Sequence, residues 1–90
     1  MPNEIIRVDG TREEYPPGNG KLFTLEEMQK AIGGGYIQIV HTKDGQLMVL
    51  DEEGKLKGFP VNPVATDLYV YGDQDPIVGD VLVCDQGTID

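Results

Sequence analysis

Residues 33–66 read GGGYIQIVHTKDGQLMVLDEEGKLKGFPVNPVAT, and this stretch decides the fold. Gly33 stands where a helix must stop, because glycine takes the left-handed conformation that closes a last turn without a Cβ penalty. Tyr36 to Val40 then alternates with the period of a strand. Tyr36, Gln38 and Val40 fall on one face, and Ile37 and Ile39 on the other. Lys43-Asp44-Gly45 carries the Asp-Gly signature of a hairpin turn, so Gln46 to Leu50 is expected to return antiparallel to the first strand. Asp51-Glu52-Glu53-Gly54 reads as a second turn. Lys55 to Phe59 reads as a third antiparallel strand, with Lys55 and Lys57 on one face and Leu56 on the other. Asn62-Pro63 pairs a helix N-cap with proline at the first helical position. Val64, Leu68 and Tyr71 can share an apolar face of that helix. β-Branched Val64, Thr66 and Val70 shorten it, and an extended conformation over Leu68 to Tyr71 stays open.

Upstream, Thr24-Leu25-Glu26-Glu27 is a capping box. It opens a helix expected over 25–32, with Leu25, Met28 and Ile32 on one face. Glu4 to Val8 reads as a first strand ended by Asp9-Gly10, and residues 11–20 as a polar loop holding a short strand near Arg12 to Tyr15. Ile77 to Cys84 is a near-continuous apolar run, as in a strand buried on both faces. The polar tail from about residue 86 is expected to fray. The sum is one small α+β domain. An antiparallel sheet of four to five strands packs against one main helix, with a second short helix at the side.

Ninety residues make a thin core, burying roughly 60–65% of the unfolded chain's surface, and a homo-oligomer is one way to add stability. Sixteen acids against seven bases give a net charge of −9. Such a field repels phosphate backbones and argues against direct DNA or RNA binding, while it attracts basic protein surfaces. After Lys57 come Asp67, Asp73, Asp75, Asp80, Asp85 and Asp90 with no base among them. Cys84 is the only cysteine and lies in the apolar run Val81-Leu82-Val83-Cys84, where a thiol acts as a small core hydrophobe. No segment reads as membrane-spanning or as a signal region, so a cytoplasmic location is expected.

Catalytic patterns are weak. Gly18-Asn19-Gly20-Lys21 lacks the flanking residues of a phosphate loop, with Tyr15 and Leu22 at the positions that matter. Asp73-Gln74-Asp75 begins like a calcium loop, but Val78 and Cys84 occupy the glycine and glutamate positions. His41 has no second histidine or cysteine beside it for zinc, and a solvated strand-end histidine is the ordinary explanation. The expectation is therefore a non-enzymatic protein without cofactor or metal. The candidate binding face combines Lys55 and Lys57 with Tyr36 and Gln38 of the hairpin and Asn62 and Thr66 at the helix start. Cations, an aromatic ring and free helix N–H groups suit a small anionic ligand. The competing explanation is that both lysines pair with Glu52, Glu53 or acids across the sheet.

Gly34-Gly35-Tyr36-Ile37, Asp51-Glu52-Glu53-Gly54-Lys55-Leu56-Lys57-Gly58, Pro60, Asn62, Ala65-Thr66 and Ile77-Val78-Gly79-Asp80 together resemble a small domain family of unknown function. That family occurs in phages, plasmids and actinobacterial or firmicute mobile elements. The resemblance spans about residues 20 to 84. Phe59-Pro60-Val61-Asn62-Pro63 departs from it, since similar sequences often carry another residue after the asparagine. It implies an α+β fold and a mobile-element setting, and no chemistry. Two functions follow for a small acidic protein in that setting. One is sequestration of a nucleotide-derived ligand that signals host defence. The other is an acidic decoy that covers the nucleic-acid channel of a basic host enzyme. A structural accessory domain is the third alternative.

Overall fold

The computed structural model describes residues 3–89. Two helices flank a five-stranded antiparallel sheet of order β2-β1-β5-β4-β3. The strands are β1 (Glu4–Ile6), β2 (Arg12–Glu14), β3 (Ile37–His41), β4 (Leu47–Asp51) and β5 (Val81–Cys84), and the helices are α1 (Leu25–Ala31) and α2 (Pro63–Leu68). The α+β expectation holds, and the short strand near Arg12 supplies the fifth sheet member.

β5 explains the apolar run at the end of the chain. It enters the middle of the sheet between β1 and β4, and all four of its residues are buried. Because side chains alternate across a strand, Leu82 and Cys84 join one core and Val81 and Val83 the other. Phe23, Met28, Ala31 and Ile32 close the first core from the α1 side. Ala65, Ile77 and the half-buried Val64, Leu68 and Tyr69 close the second from the α2 side. The expected strand over 77–84 is shorter than its hydrophobicity suggests. Gly79 turns with φ +78°, and Val78 forms an isolated bridge with Val61 instead of continuing β5.

The capping box forms as the sequence implies. Thr24 Oγ1 accepts from Glu27 N–H at 3.1 Å, and Glu27 Oε1 accepts from Thr24 N–H at 2.8 Å. Glu27 Oε2 also accepts from Gly18 N–H at 2.7 Å, tying the preceding loop to the helix. These backbone bonds, Thr24 first and Gly18 next, hold the Glu27 carboxyl below the usual carboxylate value. A depressed folded pKa means stability that is present above the unfolded pKa and lost as pH falls through the folded one. Acid titration monitored by circular dichroism should show α1 loosening in that window, and Glu27→Gln should remove this part of the pH dependence.

Several local expectations change in three dimensions. Leu25 faces solvent, and Ala31 takes the buried place beside Met28 and Ile32. Tyr71 is exposed, and Tyr69 packs in its stead. Of the tail expected to fray, residues 86–88 form a 3₁₀ turn, Thr88 O accepts from Phe23 N–H at 2.8 Å, and Ile89 packs on the first core, while Asp90 lies outside the described residues. The largest correction concerns Lys55 to Phe59, which is not a strand. Residues 52–58 run through consecutive turns, with Lys57 N–H donating to Glu53 O and Phe59 N–H to Gly54 O. The physical reason is positional. β4, which precedes this segment, already has β3 on one edge and β5 on the other, so the sheet offers no edge there.

Candidate functional site

The six residues singled out from the sequence fall into three environments. Gln38 and Lys55 line one shallow hollow of about 180 Å³ with Leu50, Glu52, Asp75 and Ile77. Tyr36 is exposed at the start of the hairpin. Lys57 stands against the preceding residue, since a Cβ on Gly35 would lie 2.7 Å from Lys57 Nζ. Gly35 also has φ +89°, so both space and backbone require glycine at this close approach. Asn62 is completely buried, and Thr66 is half-buried on α2, where it lines a separate open hollow with Val61, Val64 and Asp73.

Asn62 is spent on the fold. Its Oδ1 accepts from Ala65 N–H at 3.1 Å, which caps α2. Its Nδ2 donates to Ile6 O at 3.0 Å and to Gly79 O at 2.9 Å. One side chain thus joins the end of β1, the turn before β5 and the start of α2. Thr66 Oγ1 accepts from Ile77 N–H at 2.9 Å and donates to Ile77 O, fixing the floor strip of the hollow. Both side chains are thus engaged in bonds that hold the fold.

The two lysines do not share a strand face, and each has an acid of its own. Lys55 Nζ pairs with Asp75. Lys57 Nζ donates to Asp51 Oδ2 at 2.7 Å, while Asp51 Oδ1 accepts from Glu53 N–H at 2.8 Å. The Asp51 carboxylate is buried, and the ammonium also lies 5.7 Å from the Phe59 ring centre, within cation–π range. Pairing with acids is therefore the outcome, though with Asp51 and Asp75 in place of Glu52 and Glu53. Arg7 pairs with Glu13 and Asp80, and Arg12 with Glu4. Among the described residues, four of the seven basic side chains are ion-paired, and the acidic excess stays at the surface.

Other reactive groups offer little. Cys84 is buried, and burial pushes its thiol pKa up, away from the thiolate a nucleophile needs. His41 is exposed at the end of β3. Among the described residues no three His, Cys, Asp or Glu side chains gather to hold a metal ion, and no helix is long and apolar enough to cross a membrane.

A surface not singled out from the sequence is the outer edge of β3. The sheet ends in two edge strands of opposite character. β2 is Arg12-Glu13-Glu14, short and fully charged, the kind of edge that resists pairing. β3 carries no Asp, Glu, Lys, Arg or Pro over Ile37–His41. The signal was present in the sequence as an uncharged run in a chain with 26% charged residues. Only the strand order shows that this run is an edge.

The fold and its surface define a small acidic α+β domain, with both lysines of the candidate face ion-paired and one uncharged sheet edge open. The chain belongs to the family described as Domain of unknown function (DUF3846), which matches residues 4–90 and so extends beyond the segment that carries the resemblance. No curated protein and no solved structure matches it.

Proposed function

We propose that this chain is a non-enzymatic acidic interaction module whose partner presents a basic surface. The observation that carries this reading is the pairing of Lys55 with Asp75 and Lys57 with Asp51, which engages the two cations that the candidate face offers a small anion. The remaining field, from a net charge of −9, attracts cationic proteins and repels nucleic acid. In the mobile-element setting that the family resemblance implies, a fitting partner is a host enzyme with a basic nucleic-acid channel. Covering that channel is steric and electrostatic competition and requires no catalytic group.

Immobilised protein incubated with host extract at low salt is expected to retain a nucleic-acid-binding protein and to release it as salt rises. Surface ion pairs weaken as the Debye length falls from about 10 Å at 0.1 M to about 3 Å at 1 M. Adding the chain should then block that partner's binding to DNA or RNA in a gel-shift assay. Retention of no basic protein at low salt, or an undiminished gel shift, overturns the reading.

A second reading, sequestration of a small anionic nucleotide-derived ligand, has one supporting observation. Gln38 and Lys55 do share a hollow. That hollow holds about 180 Å³, against roughly 300–1,000 Å³ for ordinary ligand pockets, and Glu52 and Asp75 line it too. Calorimetry with cyclic dinucleotides and ADP-ribose is accordingly expected to give no binding heat. Saturable heat that disappears in Lys55→Met reverses the order of the two readings.

A further inference from the structure

The backbone of β3 has a direction that can be read from its hydrogen bonds. Thr42 N–H donates to Gln46 O, and Glu52 N–H donates to Tyr36 O, so positions 36 and 42 bond inward to β4. In an antiparallel ladder, bonded and non-bonded positions alternate. Ile37, Ile39 and His41 therefore aim their N–H and C=O groups away from the sheet. Two contacts of the next segment agree: His41 O accepts from Val70 N–H, and Lys43 N–H donates to Leu68 O. Tyr69 forms an isolated antiparallel bridge with Thr42, as if starting a sixth strand. The chain then turns away at Tyr71, where Gly72 N–H returns to Tyr69 O and Asp75 N–H to Tyr71 O. The edge over 37–40 is left uncovered in line with that bridge.

The two faces beside this edge differ. Ile37 and Ile39 lie on the α1 side, Ile37 half-buried against the first core and Ile39 41% exposed. Gln38 lies on the other side, beside the hollow rimmed by Glu52 and Asp75. Glu52 has no side-chain ion pair among the described residues. An added strand would thus meet apolar side chains on one face and, on the other, the Glu52 carboxylate beside the Lys55–Asp75 pair.

From this we infer that β3 receives an extended segment of the basic partner as a sixth strand, through main-chain bonds to Ile37 and Ile39. The segment alternates apolar residues, laid against Ile37 and Ile39, with Lys or Arg residues that pass Gln38 toward Glu52. The inference rests on the acidic-module reading and specifies its docking surface. Charge complementarity selects this occupant over a second copy, which would bring another −9 to the same edge.

The test uses a short alternating lysine–valine peptide and a peptide of equal composition with lysines and valines in separate blocks. Binding is followed by fluorescence anisotropy and by amide hydrogen exchange. The alternating peptide should bind about tenfold tighter or better, and should slow exchange at Ile37 and Ile39. Ile39→Pro removes an outward N–H, a place where an edge strand tolerates proline, and should abolish binding with the fold intact. Ile39→Lys provides a second block by repelling the peptide. Equal binding of both peptides, with exchange at Ile37 and Ile39 unchanged, overturns strand addition while leaving the acidic-module reading standing. Binding of neither peptide at low salt overturns both. A dimer joined through Ile37 and Ile39 without peptide shows a second copy as occupant and overturns the inference.

Discussion

Asn62→Ala should lower the stability of this protein by about 3–5 kcal/mol. The substitution removes a buried cap and two buried donors at once. Ala65 N–H, Ile6 O and Gly79 O all lose their partner in a place water does not reach. Each buried polar group left unsatisfied costs about 1–3 kcal/mol, and cap loss alone about 1 kcal/mol, with partial overlap between the terms. A domain of this length has in total roughly 5–13 kcal/mol, so the loss is a large share. For a 60–100-residue domain it corresponds to a drop in Tm of roughly 15–30 °C by calorimetry. Asn62→Asp separates the contributions. Its carboxylate keeps the Ala65 bond but sets an oxygen against the Ile6 and Gly79 carbonyls. Protonation restores an O–H donor, so the folded state of that variant binds the proton more tightly than the unfolded state. Its deficit should shrink as pH falls, opposite in sign to the Glu27 contribution. If Asn62→Ala melts within a few degrees of the parent, Asn62 is not the joint between β1, β5 and α2.

Lys57→Met should cost about 2–3 kcal/mol. Removing one partner of a fully buried ion pair costs about 3–5 kcal/mol, because the other charge stays buried and uncompensated. The Asp51 side chain is 2% exposed and the Lys57 side chain 39%. The effect is therefore set below the fully buried range, since solvent around the ammonium already weakens the pair. The double variant Asp51→Leu, Lys57→Met should be less destabilised than the sum of the single changes, which urea denaturation of all four proteins measures as a coupling energy. This experiment also assigns the role of Lys57. A ligand-binding lysine can be removed with little effect on stability. A lysine that locks the 52–58 turns against Asp51 of β4 cannot. A Lys57→Met protein as stable as its parent would return Lys57 to the candidate binding residues.

Both predictions concern residues that looked functional in one dimension. Asn62 drew notice as a helix start, and a helix start with free N–H groups attracts anions. The cap is real, yet the same side chain has two further bonds to carbonyls 56 and 17 residues away. Those bonds bury it, and nothing local announces them. Lys55 and Lys57 drew notice through a Lys-Leu-Lys alternation that mimics a strand. Leu56, the residue that alternation would bury, is 86% exposed. Period-two patterning makes a strand only where a sheet edge is free to receive it.

Local chemistry settled a good deal unaided. The Thr24–Glu27 box, the stop at Gly33, the Asp44-Gly45 hairpin and the Asn62-Pro63 helix start are all properties of a few adjacent residues. They depend on turn geometry and on nearby hydrogen-bond partners, so the sequence contains them whole. The buried character of Val81–Cys84 was legible for the same reason, as an unbroken apolar run. Only the tertiary structure decided that this last strand enters the centre of the sheet. That placement leaves Lys55–Phe59 no edge of β4 to join and makes β3 an outer strand, and packing sets Lys55 against Asp75, 20 residues away. Strand order and long-range ion pairs depend on which segments compete for the same edge or the same carboxylate. That competition is between parts of the chain far apart in sequence, and it is resolved only when they pack together.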